Sequence, residues 1–381
     1  MTLTKEHLDY LHENEKKARE FLMKLASIPA PSNQENLRAQ ACADWLRSLG
    51  AEDVKLDSTG NVIYLVGSAE GPLTVFSAHS DVVFQDTDSL PVSVREGKIF
   101  CPGIGDDTAN VVALLLAAGY LAQRKLVPKK GGLLFVIDAG EEGLGNLRGC
   151  RAVLKRFGRH VRRFYSFDLE YKHGINRAVG SRRYRITLRT RGGHSYHDFG
   201  TKSAIAAMAE IIAELYRIPL PEGGKTTYNV GMVRGGTSVN TIAEEARFLY
   251  EFRSDEERNL EYMEKHFREV LRRHEAEDLE IKVLPLGERP CGHGVDPSAE
   301  QRLVNQVRDC VREHCGFTPE FTAGSTDCNM PLSMGIPSVC IGCYEGGGEH
   351  TREEYVKIDS LFKGYEIAFD IVLSALEEKE A

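Results

Sequence analysis

Two histidines and several carboxylates recur in this sequence at one kind of place, just past a short apolar run or just before a helical stretch. His79-Ser80-Asp81 follows the apolar run 73–78, and Gly105-Asp106-Asp107 precedes the helical stretch 109–125. Glu141-Glu142 follows the run 132–139, Asp168 follows 162–167, and His350 follows the run 338–342 through a glycine-rich loop. A histidine with a carboxylate two residues on can bind a divalent ion while the carboxylate fixes the imidazole tautomer. Adjacent acids repel, so a buried Glu-Glu pair needs a cation beside it. One acid of such a pair can bind metal while the other works as a base, and a single carboxylate can bridge two ions. Taken singly, each motif also has an ordinary reading: a loop histidine, a helix N-cap at Asp106-Asp107, a solvated acidic loop. Taken together, the oxygen and nitrogen donors suit hard and borderline divalent ions.

The elements that must position these groups can be read from periodicity. Apolar residues Leu8, Leu11, Ala18, Phe21, Leu22 and Leu25 recur at helical spacing. A break at Ile28-Pro29-Ala30-Pro31-Ser32 precedes a second helix through Trp45 and Leu46. The wholly apolar runs 73–78, 132–139 and 162–167 read as strands buried on both faces. Their alternation with helices predicts a mixed, mostly parallel sheet with helices on both faces. Ligands of such sheets bind at the strand carboxyl ends, where the histidines and acids fall. From about residue 181 the texture changes to polar–apolar alternation. The order strand, helix, strand, strand, helix, strand over 181–286 predicts an inserted α+β open-sandwich domain. The α/β texture resumes with helix 298–314, strand 338–342 and a C-terminal helix 357–377. The expected domains are therefore 1–180 with 287–381, and 181–286.

Composition narrows the function. With 48 basic and 56 acidic residues the net charge is −8, a poor match to a phosphate backbone, so no nucleic-acid partner is expected. No continuous apolar run reaches the length of a membrane span, and the N-terminal residues carry no apolar core of a signal peptide. The nine scattered cysteines fit reduced thiols and a cytoplasmic location better than a disulfide framework. Cys340 and Cys343 form a lone CxxC and read as buried small side chains.

The motifs SAHSD, GIGDD, DAGEEG, YSFD, RGGHS, GGTSVNTI, EFRSD and GEHTREEY run in order from about 79 to 355. In this series the chain resembles the dinuclear-zinc metallopeptidase family of peptidase T, bacterial carboxypeptidase G, succinyl-diaminopimelate desuccinylase and aminoacylase. The resemblance implies a zinc-exopeptidase type of catalytic fold, with the inserted domain as lid and dimerisation module. It implies two Zn²⁺ per chain, with Mn²⁺ or Co²⁺ as substitutes. His79 and Asp168 would bind one ion, Glu142 and His350 the other, and Asp106 would bridge them. Asp81 would orient His79, and Glu141 would be the general base. His194 would reach a neighbouring subunit's site to stabilise the oxyanion, and Asn240 and Arg253 would bind substrate. No role follows for Asp107, His197 or Asp198. An acid of Asp type at 168 leans towards peptidases that need a free amino end. The expected activity is exopeptidase cleavage of di- and tripeptides by a homodimer. The alternatives are a deacylase of N-acyl amino acids, a metal-binding homologue without activity and, more distantly, a serine hydrolase using Ser325.

Overall fold

Three unbroken apolar runs set the centre of the molecule. In the computed structural model, which describes residues 3–377, they form the strands Leu73–His79, Gly132–Asp138 and Val161–Phe167. These strands are parallel neighbours in an eight-stranded sheet. Alternate residues of one strand feed two different cores. Leu133, Phe135 and Ile137 join the cluster built with helices Lys5–Ser27, Asn36–Ser48, Asn110–Arg124, Pro297–Cys315 and Ile358–Glu377. Leu134 and Val136 join the opposite cluster, with Val153, Leu154 and Phe157 of helix Arg148–Phe157. An apolar run without alternation is thus a strand with helices on both faces, as the sequence predicts.

The full strand order is Lys55–Leu56, Val62–Gly67, Gly132–Asp138, Leu73–His79, Val161–Phe167, Ser338–Ile341, His173–Ala178, Glu320–Gly324. Val62–Gly67 and His173–Ala178 run antiparallel to their inner neighbours, so the sheet is mixed with a parallel centre. The helical stretch Ile104–Arg124 is long and apolar enough to cross a membrane by length and composition. Here it is a core element, with Val112 to Leu116 at 0–1% exposure.

The chain divides into two compact units, one made of the residues up to Ala178 and from His293 onward, the other of Val179–Gly292. The outermost residues of the expected catalytic domain, 1–2 and 378–381, lie outside the described residues. In the second unit, strands Thr226–Gly235, Glu245–Ser254, Gly180–Arg189 and Glu280–Arg289 form an antiparallel sheet in that order. Tyr184, Ile186, Leu188, Phe248, Tyr250 and Phe252 point to one face and pack with Ile211 and Leu215 of helix Ala204–Leu215 and Leu260, Met263 and Phe267 of Glu257–Arg273. The intervening residues face outward, which is the period-two pattern of a sheet with one wet side.

Candidate metal centre

The parallel strands end together. His79 is the last residue of its strand and lies in register with Asp138, and Glu141 and Glu142 follow one turn later. Asp168 follows Phe167, which is paired with Ile341. The fourth element is the π-helical stretch Ile104–Ala109, in which Asp106 has a non-helical backbone before the helix from Asn110 begins. The fifth is a loop between the two short strands Gly346–Gly347 and Tyr355–Lys357. It carries His350 in a left-handed backbone conformation, φ 61°.

These elements bring the candidate ligands into one cluster. The His79 Nε2 lies 3.1 Å from Asp106 Oδ1, and His350 Nε2 lies 3.0 Å from Asp106 Oδ2 and 3.0 Å from Glu142 Oε1. Donor atoms of His79, Asp106 and Asp168 lie within 4.8 Å of one another, as do those of Asp106, Glu142 and His350. Glu141 joins His79 and Glu142 in a third such group and is 5% exposed. Asp106 therefore belongs to two donor sets through opposite oxygens.

Asp81 sits behind this layer, fully buried. Its Oδ1 accepts the amides of Gly140 and Glu141 at 3.1 and 2.9 Å, and its Oδ2 accepts that of Glu142 at 2.9 Å and the Ser32 hydroxyl at 2.6 Å. It lies 3.5 Å from His79 Nδ1, whose nearest acceptor is the Asp81 carbonyl at 3.1 Å. The carboxylate thus ties the Glu141-Glu142 turn to the His79 ring. Asp107 has a distinct job. One oxygen accepts the His79 amide at 2.8 Å and the other the Asn110 side chain at 2.7 Å, pinning the strand end to the helix start.

The carboxylates of the cluster are crowded and buried. Burial, then the charges of Asp106, Glu141 and Glu142, push the Asp168 carboxyl up to about 8. Burial, then Asp106 and Glu141, push Glu142 up to about 7 despite the His350 ring. Burial would also raise Asp106, but hydrogen bonds from His350 and His79 outweigh it and hold that carboxyl well below the usual range. His350 is pushed up to about 11 by its bonds to Asp106 and Glu142. Burial and mutual repulsion thus raise two of the carboxyls, while the imidazoles offset the charge of Asp106. The donor set, carboxylates and imidazoles with Asp81 orienting one ring from behind, fits divalent ions.

Several positioning residues were not singled out in the sequence. Glu354, 1% exposed, accepts the amides of Gly103, Gly105 and Asp106 at 2.7, 2.8 and 2.9 Å and so cradles the turn that presents Asp106. It lies in the GEHTREEY motif, four residues after His350, which was its only signal. Arg38, fully buried, reaches the carbonyls of Ile28, Ala26 and Ser80 and the Thr108 hydroxyl. The Asn61 side chain accepts the Ala139 amide at 3.1 Å. Cys340 and Cys343 are buried, free thiols, and Cys340 donates to the Asp168 carbonyl at 3.5 Å.

The sequence profile of peptidase family M20/M25/M40 matches residues 75–374. The chain belongs to this family. It is accordingly a hydrolase of the peptidase and deacylase kind. Its relatives include the uncharacterized protein YqjE of Bacillus subtilis, 25% identical over 95% of this chain and 99% of that one. The acetylornithine deacetylase of Myxococcus xanthus is 24% identical over 82% and 83%. Among solved structures, a Staphylococcus aureus tripeptidase superposes with a TM-score of 0.77 at 22% identity, covering 96% of this chain and 99% of its own.

The remaining candidate residues lie in the second unit. His194 is paired with Thr241 in a two-residue ladder, and the Ser195 amide donates to the Asn240 carbonyl at 3.0 Å. His194 and Asn240 are therefore neighbours, and both are exposed. The His194 Nδ1 accepts the amides of Tyr196 and His197 at 3.2 and 3.4 Å, which leaves the proton of a neutral ring on Nε2. Asp198 accepts the His194 amide at 2.8 Å and Arg191 at 3.1 Å, so it braces the loop. Arg253 lies on the Glu245–Ser254 strand, where Nε and one terminal nitrogen fork onto Glu251 at 3.1 and 3.2 Å.

Proposed function

We propose that this hydrolase is a metal-dependent exopeptidase acting on di- and tripeptides. His79, Asp106 and Asp168 would hold one divalent ion, and Asp106, Glu142 and His350 a second. The observation that carries this reading is the division of Asp106, with Oδ1 3.1 Å from His79 and Oδ2 3.0 Å from His350. Zinc suits these donors, and manganese or cobalt would be accepted by the same set. Bound ions would supply Lewis acidity, polarising the scissile carbonyl and acidifying the attacking water.

The rest is the work of the chain's own groups. Glu141 takes the proton of the attacking water and returns it to the leaving amine. Asp81 sets the tautomer and angle of His79 from behind. His194, with its outward Nε2–H, donates to the developing oxyanion in a neighbouring subunit's site, so the working unit is a homodimer with residues 181–286 as lid and dimerisation module. Asn240 binds substrate, and the planar fork of Arg253 takes a substrate carboxylate in exchange for Glu251. Nine free cysteines fit a cytoplasmic location. Asp168 tips the choice between peptide and N-acyl substrate, because in the family a short acid there accompanies enzymes that need a free amino end.

The test is a panel of di- and tripeptides and N-acyl amino acids, each run with Zn²⁺, Mn²⁺ or Co²⁺ and again after chelation. Chelator-sensitive release of amino acids from free-amine peptides is the expected result. Turnover of N-acyl amino acids alone would make the protein a deacylase. Two ions bound with no turnover anywhere would make it a binding homologue.

A further inference from the structure

A second cluster of metal-binding side chains lies in the first unit, in the seam between two helices and apart from the residues of the catalytic cluster. Cys310 and His314 are four residues apart on helix Pro297–Cys315, so they share a face. Glu366, Asp370 and Ser374 are spaced by four on helix Ile358–Glu377. The two helices pack through Leu303, Val307, Val311, Ile367 and Ile371 in the main core, which brings these two faces together.

The His314 Nε2 lies 3.0 Å from Asp370 Oδ2, and donor atoms of Cys310, His314 and Asp370 all lie within 4.8 Å of one another. Behind two of the three ligands stands a group of the kind that orients metal ligands. The other His314 nitrogen, Nδ1, is 4.0 Å from Glu366 Oε2, and the Ser374 hydroxyl donates to the other Asp370 oxygen at 3.2 Å. The site is shielded: Cys310 is 5% exposed, Asp370 1%, and the His314 side chain 8%. We propose that Cys310, His314 and Asp370 form a further metal site, for one borderline-soft divalent ion such as zinc.

The donor chemistry favours this ion class. Thiolate, imidazole and carboxylate together select zinc-like ions over magnesium or calcium, which want oxygen alone. Around a tetrahedral ion such donors stand about 3.3–3.8 Å apart, so the present spread closes with small side-chain rotations. The Cys310 thiol, which now donates to the Ile367 carbonyl at 3.7 Å, gives up its proton to solvent as the sulfur–metal bond forms. Three protein donors leave one position for water. An ion here would clamp the C-terminal helix to the helix before it.

The experiment uses full-length protein stripped of metal and titrated with Co²⁺. None of the candidate ligands of the catalytic cluster is a cysteine, so a thiolate-to-cobalt charge-transfer band in the near ultraviolet reports the new site alone. The expected result is this band in the unaltered protein, its loss in Cys310→Ser, and one equivalent less Co²⁺ bound by the variant. His314→Gln is a second variant with the same expected loss. No band in the unaltered protein at saturating Co²⁺ would overturn the proposal without recourse to any variant, and would leave His314 and Asp370 a plain hydrogen-bonded pair. A band that survives both substitutions would overturn it as well.

Discussion

The two units hold their candidate residues in opposite ways. In the first, six of the seven candidates, His79, Asp81, Asp106, Glu141, Glu142 and Asp168, are wholly or mostly buried and His350 alone is exposed, and Asp81 by itself accepts three backbone amides and a hydroxyl. In the second, His194 and Asn240 are exposed and held by loop amides, a two-residue ladder, the Asp198 carboxylate and the Ser238 hydroxyl. Buried polar groups with full hydrogen bonding are fixed in advance of the chemistry. Exposed ones act on whatever reaches them. Substitutions in the two places should therefore fail differently. Glu141→Ala should keep its metal and lose at least about 100-fold in turnover, the span of a general base. Near-normal kcat at full metal content would remove Glu141 from that role.

His194→Ala should cost about 100-fold in kcat, as for one oxyanion donor, with metal content untouched. The sharper measurement is complementation. If His194 serves a neighbouring subunit, mixing inactive His194→Ala with inactive Glu141→Ala restores activity. One site of the mixed dimer then holds an intact Glu141 from its own chain and an intact His194 from the other. If His194 serves its own chain, every site in the mixture lacks one group and activity stays low.

The same contrast governs what the sequence could disclose. Strands buried on both faces announce themselves as apolar runs, and the candidate ligands His79, Glu142 and Asp168 sit at or just past their ends. The inserted unit was equally legible, since a half-wet sheet writes period-two alternation into Arg182–Leu188 and Ala246–Phe252. What stayed hidden depends on few residues or distant partners. The strands Ser93–Arg95, Lys98–Phe100 and Tyr355–Lys357 are three residues each, too short for a period to show. Yet their small sheet positions the His350 loop. Ser32 and Asp81 are 49 positions apart, and Glu354 reaches back 248 to the Asp106 amide. A hydrogen bond across such a gap leaves no local pattern.

Glu354 tests how far the first unit's function rests on buried positioning. Glutamine in its place keeps one acceptor but turns an N–H₂ donor towards the three amides of Gly103, Gly105 and Asp106. Glu354→Gln should weaken metal affinity about 10- to 100-fold, as for other groups behind metal ligands. Excess metal should restore most of the turnover. An unchanged metal affinity would reduce Glu354 to a structural loop contact.

The smallest effect follows from the raised carboxyls. Without metal, Asp168 holds its proton up to about 8 and Glu142 up to about 7, both through burial first. In the unfolded chain both ionise near 4. Between those limits the native state binds more protons than the unfolded state, so metal-free stability falls as pH rises. His350, pushed up to about 11 by Asp106 and Glu142, acts in the same direction above its unfolded value near 6.5. In the metal-loaded protein these protons are displaced and the slope should flatten. The gain in Tm on adding Zn²⁺ should therefore be larger at pH 8 than at pH 6, by a few degrees, in scanning calorimetry. The exposed residues of the second unit should add nothing to it, and His194→Ala should show the same difference. A gain independent of pH would mean that the metal does not displace protons from Asp168, Glu142 and His350, and would remove them as its ligands.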